Sequence, residues 1–267
     1  MIRRPTIIVV GSKGMLGQMV FKYFSANNYS VIEENLRITP ESIDVLLNRV
    51  NTYENAYVIN CVGKIKQKST TAANLFWINT VYPQILSSGL RNGNILIQPS
   101  TDCVFNGLRE SGLYGLNDMP DCVDDYGLSK YYCEQSLKYN ANAIVVRVSI
   151  VGTDVNSTSG LLSWFLSRES HEVLSGFSNH LWNGITTLEW CKWAEKELIN
   201  REVKGGFFQL SSSSIYSKFE MLMLFKKVFK KKITINKVTH SDSLNRCMEG
   251  IIMCESFENQ LIELSKF

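Results

Sequence analysis

The sequence predicts an α/β fold, a doubly wound parallel sheet, and three observations predict it. Short β-branched runs that are apolar at every position alternate with stretches of helical period. A glycine-bearing segment follows the first of these runs directly and opens a helix. The alternation covers the first 150 or so residues and then changes rhythm.

Thr6–Val10 is β-branched, uninterrupted by charge and closed by Gly11, as a strand buried on both faces requires. Met15–Ala26 has apolar residues at helical spacing and stops at Asn27-Asn28. Tyr29–Ile32 reads as a second strand. Pro40–Val50 reads as a helix, with proline in the first turn and acids beside it. Tyr57–Cys61 is a third strand. Thr71–Leu90 is helical, with Pro83 forcing a kink or a new turn. Ile95–Ile97 is a fourth strand, and Tyr126–Tyr139 a helix with Asp124 and Asp125 as capping candidates. Ala143–Val148 is a fifth strand. Beyond it, 159–168, 187–199 and 216–229 read as helices and Phe207–Leu210 as a strand. Residues 1–150 are therefore expected to form a Rossmann-type dinucleotide-binding domain. Residues 151–267 are expected to form a smaller substrate-binding region that can return a strand or helix to the first.

The chain has 267 residues, 45% hydrophobic and 20% charged, enough for a sizeable core. A net charge of +3 points neither to nucleic acid nor to a membrane surface. The basic start Met1-Ile2-Arg3-Arg4 leads into too short an apolar run for a signal core. No stretch approaches the roughly 18 apolar residues of a membrane span. The seven cysteines, among them Cys254, are odd in number and show no CxxC spacing, which fits reduced thiols. These features give a cytoplasmic protein as the expectation. Scattered histidines offer no metal site. The Lys226–Lys232 run reads as a solvated helix end. Trp190 and Trp193, at i and i+3, read as core packing, whereas Trp182 beside Asn183-Gly184 reads as a loop residue able to stack on substrate.

Gly11-Ser12-Lys13-Gly14-Met15-Leu16-Gly17 joins the first strand to a helix. Glycines permit the sharp turn and the close approach of a pyrophosphate, and the helix start supplies free N–H groups. NAD enzymes place an acid about 20 residues on, and Glu33 and Glu34 lie near there. Lys13 and Arg37 are suited instead to a 2′-phosphate. The reading favours NADPH, with NADH as the alternative.

Tyr126-Gly127-Leu128-Ser129-Lys130 places a phenol and an ammonium on one helix face at i, i+4. A nearby cation favours phenolate and brings the phenol toward neutral pH, as protonation of a ketone oxygen needs. The fourth strand runs out into Ser100-Thr101-Asp102-Cys103-Val104-Phe105, where ligands meet open α/β sheets. Thr101 can orient a carbonyl, and Asp102 can bind a substrate hydroxyl.

Together the glycine loop, the Ser100–Phe105 segment, Tyr126-Gly127-Leu128-Ser129-Lys130-Tyr131-Tyr132-Cys133-Glu134 and Val146-Arg147-Val148-Ser149 resemble the extended short-chain dehydrogenases/reductases, in particular the dTDP-4-dehydrorhamnose reductase type. Trp182-Asn183-Gly184-Ile185-Thr186-Thr187 resembles a later segment of that family. The resemblance implies Thr101, Tyr126 and Lys130 as catalytic residues. It also implies Gly11 to Gly17 with Cys61-Val62-Gly63 around the cofactor, and Lys130 at the nicotinamide ribose. The implied reaction is reduction of a nucleotide-activated 4-keto-6-deoxy sugar in deoxysugar and polysaccharide biosynthesis, with a homodimer as one assembly. Two departures stand out. Cys133 replaces the usual glycine, and Ile150 stands where many rhamnose-forming members carry tryptophan, which opens the substrate to UDP sugars. Cys103 resembles the cysteine of bifunctional 3,5-epimerase/4-reductases. A cofactor-holding regulatory subunit of the same fold is the remaining alternative.

Overall fold

A computed structural model describes residues 4–65, 71–109, 111–253 and 255–267; Met1 to Arg3 of the basic start and Cys254 lie outside them. The first half runs β1 (Ile7–Val10), α1 (Met15–Ala26), β2 (Val31–Glu34), α2 (Ile43–Val50), β3 (Tyr57–Asn60), α3 (Ala72–Phe76), α4 (Tyr82–Gly89), β4 (Ile95–Ser100), α5 (Asp125–Leu137) and β5 (Ala143–Arg147). The second half runs β6 (Ile150–Val151), α6 (Leu161–Leu166), β7 (Val173–Phe177), β8 (His180–Trp182), β9 (Ile185–Thr186), α7 (Thr187–Trp193), β10 (Gly206–Ser212), β11 (Tyr216–Ser217), α8 (Lys218–Val228), β12 (Thr234–Val238), β13 (Leu244–Asn245), β14 (Ile251–Met253) and α9 (Phe257–Lys266).

Seven strands form one parallel sheet in the order β14-β10-β5-β4-β3-β1-β2. β1 and β3 are buried at every residue because helices cover both faces. Ile7 and Val9 face a core shared with α1, α7, α8 and α9, through Phe24, Trp190, Phe225 and Phe257. Ile8 and Val10 face a second core with Leu46 of α2, Tyr82 of α4 and Leu137 of α5. The doubly wound architecture expected from the sequence is thus present. Two strands of the second half, β10 and β14, extend the same sheet.

Several boundaries differ from expectation for physical reasons. The second strand is shifted to Val31–Glu34, so Glu33 and Glu34 belong to it. The long helix around Pro83 is split by a π-turn at Trp77–Val81, and Pro83 sits in the first turn of α4, where a missing N–H costs nothing. Tyr216 and Ser217 are strand residues, and Ser217 caps α8 through a capping box with Glu220. β7, β8, β12 and β13 are too short or too polar to stand out by period. Among the described residues no helix is long and apolar enough to cross a membrane.

Candidate active site

The chain enters β2 on one side of β1 and β3 on the other. That reversal opens a crevice at the carboxyl ends of β1 and β3, the place where such sheets bind ligands. The Gly11 loop forms one wall, and Cys61-Val62-Gly63 follow β3 on the other. Gly11 is left-handed, with φ of 85°, and a Cβ there would meet Val62 Cγ2 at 2.7 Å. A Cβ on Gly17 would lie 2.2 Å from the Gly11 carbonyl oxygen, so only glycine lets α1 start against the loop.

Gly14 is the N-cap of α1; no side chain caps that end and no acid sits in its first turn. A Cβ on Gly14 would meet nothing closer than 3.8 Å. An uncapped helix start beside open space fits a pyrophosphate. Ser12 is buried, and its hydroxyl is shared between the Glu33 carboxylate and Asn35 Oδ1. Leu16 packs into the core, while the Lys13 side chain is exposed. The Lys13 carbonyl accepts from Asn156 Nδ2 at 2.9 Å, docking the segment after β6 onto the loop. Met15 Sδ lies 3.6 Å from where a Cβ on Gly160 would be. Arg37 is exposed, and its backbone oxygen accepts from Ser42.

Thr101 follows β4 and is buried; its hydroxyl lies 3.0 Å from Asp102 Oδ1 and accepts the Cys103 N–H at 3.1 Å. Asp124 caps α5 by accepting the Gly127 N–H at 2.8 Å, which brings Tyr126 into the first turn beside Thr101. Burial pushes the Tyr126 phenol well above the ordinary tyrosine range, Cys103 adds to the rise, and the nearby Thr101 hydroxyl opposes it. The expectation of a phenol lowered by Lys130 is not met. The buried Lys130 ammonium is aimed instead at the Pro99 carbonyl, 3.3 Å away. It lies 3.6 Å from where a Cβ on Gly63 would be, so that glycine keeps the crevice open there. Burial also lowers the Lys130 pKa. Burial pushes the Cys103 thiol up to about 12, with Asp102 adding to it, which leaves the thiol protonated at neutrality.

Trp182 is a correction. It is a strand residue, 4% exposed, packed edge-on against Phe257 with its N–H donated to Ser149 Oγ at 2.8 Å. The ring is committed to the core because β8 pairs with β11 and β13 on its two sides, so it is not placed to stack on a ligand. Trp190 and Trp193 are core residues as expected.

The sequence reading missed Asn79. It is 1% exposed in the π-turn and bridges the segment after β3 to α5, holding the Lys64 backbone from both sides and donating to Ser129 Oγ at 3.0 Å. A buried asparagine four residues before Pro83 was the available signal. The Arg147–Glu134 pair was also missed as a pair. Two bonds of 3.0 and 2.7 Å join them, and Arg147 donates to Gln209 at 2.8 Å, so α5, β5 and β10 are tied under the site. Cys133, in place of a glycine, simply packs into the core around α5.

The model of a family described as the RmlD substrate binding domain matches residues 5–175. The chain belongs to the RmlD substrate binding domain family. The RmlD match takes in the glycine loop, Thr101, Tyr126 and Lys130 and ends within β7. The chain is also 24% identical over 235 residues to methionine adenosyltransferase 2 subunit beta of Danio rerio, covering 80% of this chain and 71% of that one. Among solved structures, it is similar to the dTDP-4-dehydrorhamnose reductase of Bacillus anthracis in complex with NADP, with TM-score 0.83 and 18% identity over 98% and 99% of the two chains. The Clostridium acetobutylicum dTDP-4-dehydrorhamnose reductase gives 0.79 and 17% over 98% of both. The UDP-glucose 4-epimerase of Thermotoga maritima with UDP-glucose gives 0.76 and 15% over 98% and 97%. At these identities the likeness of this RmlD-family chain to solved structures is one of fold.

Proposed function

We propose that this chain is a nicotinamide-dependent reductase of the 4-keto group of a nucleotide-activated 4-keto-6-deoxy sugar, acting in deoxysugar biosynthesis. The observation that carries the reading is that Thr101 at the end of β4 and Tyr126 in the first turn of α5 stand together, on the same sheet edge as the glycine loop. Gly11 to Gly17 and Cys61 to Gly63 would hold the dinucleotide, and Lys130 would meet its ribose. The reduced nicotinamide supplies hydride when bound. Tyr126 gives the proton to the sugar oxygen, and Thr101 orients that oxygen. A phenol held above its usual pKa stays protonated at neutrality, as a proton donor must. Reduction is therefore expected to hold its rate between about pH 6 and 9 as far as Tyr126 is concerned, while the reverse oxidation, which needs phenolate, rises with pH. Rate profiles in both directions check this. Family membership and the dTDP-4-dehydrorhamnose reductase neighbours support the substrate class.

The Glu33 carboxylate, which accepts from Ser12, stands at the end of β2 where an acid meets the adenosine ribose. A 2′-phosphate there would face a like charge. We therefore favour NADH, although Lys13 and Arg37 had suggested NADPH. Glu33→Ser is expected to shift the ratio of kcat/KM values toward NADPH by about tenfold or more. An unchanged ratio would remove Glu33 from cofactor choice.

The reductase reading is tested by following cofactor oxidation with a panel of dTDP- and UDP-4-keto-6-deoxy sugars. Turnover of at least one supports it; cofactor binding without turnover of any would favour a second reading. That reading, a cofactor-holding subunit of another enzyme, is favoured by the similarity to methionine adenosyltransferase 2 subunit beta.

A further inference from the structure

The densest run of charge in the sequence lies beside an open apolar groove. Residues 218–238, from the start of α8 to the end of β12, carry seven lysines and one acid, in a chain whose net charge is only +3. The rest of the chain is therefore slightly acidic, and the cations are concentrated in this segment. All of it lies beyond the RmlD-matched residues.

α8 turns its main apolar face inward, burying Met221, Leu222 and Phe225. A second apolar stripe is left facing out. Phe219 and Met223, at i and i+4, lie one above the other on it. Together with Tyr216 and Leu224 they line a groove of about 580 Å³, and Met223 is 41% exposed. The walls are fixed from behind. A Cβ on Gly176 would lie 2.6 Å from Phe219 Cα, so β7 packs directly on that turn of α8. Tyr216 packs on Phe257, with ring centroids 5.5 Å apart, and Leu224 packs against the main core. The groove is thus held open by the fold.

Its two ends differ in charge. Glu220, toward the start of α8, is committed to the helix cap: its Oε2 accepts from the Ser217 N–H at 2.7 Å and from the Ser217 hydroxyl at 2.8 Å. Lys226 and Lys227 line the other end. Lys227 pairs with Glu258 at 2.6 Å, whereas Lys226 forms no ion pair among the described residues. The Lys237 ammonium stands 5.8 Å from the Phe219 ring centroid, and Lys230 and Lys232 are exposed beyond the helix. An exposed apolar surface with a polar rim marks an interaction site, and the sign of the rim selects the partner.

We propose that this groove docks a short, acidic, amphipathic helix of a partner protein. The partner's apolar side chains, at i, i+4 and i+7, enter beside Met223, and its carboxylates meet Lys226 and Lys227. The stretch from Tyr216 to Lys227 matches roughly three turns of helix, about 16 Å. A second copy of this chain would set the same lysines against these. A lipid surface would need the apolar stripe to protrude, and here it lines a hollow.

Fluorescence anisotropy with the full-length protein tests the proposal. The probes are three labelled helical peptides of about 14 residues that share a leucine stripe at i, i+4 and i+7. They differ only in their flanks, which are glutamate, glutamine or lysine. The glutamate peptide is expected to bind about tenfold or more tighter than the lysine peptide, with the glutamine peptide between, and to weaken as salt rises. Met223→Asp is expected to weaken it about tenfold or more. Lys226→Glu combined with Lys227→Glu should turn the preference toward the lysine peptide. Cofactor affinity and melting temperature, measured on each variant, show that the fold is kept. The proposal is overturned if no peptide binds, if all three bind equally, or if the variants bind as wild type does. Two other occupants would also overturn it. One is a lipid surface, shown by capture on phosphatidylserine vesicles without peptide binding. The other is a second copy, shown by a sedimenting dimer that Met223→Asp dissolves. None of these outcomes depends on whether the chain reduces a sugar.

Discussion

Glu134→Ala is expected to cost about 3–5 kcal/mol of folding stability, because it leaves Arg147 charged and buried. The two side chains are 1% and 3% exposed. Without the carboxylate, Arg147 keeps Gln209 and the faces of Phe105 and Phe207, whose centroids lie 5.0 and 4.9 Å from its guanidinium carbon. Those contacts do not neutralise a full charge. At this chain length the loss corresponds to a fall in melting temperature of roughly 10 °C. Denaturant and thermal unfolding measure it. Replacing both partners by methionine is expected to recover most of the loss, because the cost lies in the orphaned charge rather than in the missing attraction. A double variant no more stable than the single one would contradict this account of the pair.

Tyr126→Phe is expected to lower kcat for ketone reduction by about 10²–10⁴-fold, the range removed with a positioned proton donor. Phenylalanine keeps the ring and loses only the hydroxyl. Thr101 retains its contacts with Asp102 and the Cys103 N–H, so the end of β4 keeps its shape. Cofactor affinity should therefore stay within about threefold, which separates lost proton transfer from lost binding. Single-turnover kinetics with equilibrium cofactor titration make the distinction. A variant that reduces sugar at the wild-type rate would mean that another group protonates the oxygen.

The first half of the fold was legible because its signals are local. β1 and β3 are buried on both faces and so read as unbroken apolar runs. Gly11 and Gly17 read as a phosphate loop because the same backbone demands that exclude side chains there place glycine in the sequence. Spacing brought Tyr126 and Lys130 to one helix, but it could not give their environments. Burial of the phenol and the pull of the Pro99 carbonyl on the ammonium are tertiary facts. Trp182 looked like a loop residue because Asn183-Gly184 follows it, and only the pairing of β8 on both sides buries it. Arg147 meets Glu134 because α5 packs back on β5, and Gln209 joins them because β10 pairs with β5, which no local period encodes. Glu33 was visible in the sequence, but the Ser12 hydroxyl donated to its carboxylate is a tertiary contact.

The central claim is that hydride passes to a sugar carbon while Tyr126 supplies the proton. Incubation with a 4-keto-6-deoxy nucleotide sugar and reduced cofactor deuterated at the transferable C4 position tests it most directly. The account predicts a 4-hydroxy sugar with one deuterium at C4 from the wild-type protein. Tyr126→Phe should give little or none while binding the cofactor normally. Wild-type protein that binds both ligands and transfers no deuterium to C4 of any such sugar would contradict it.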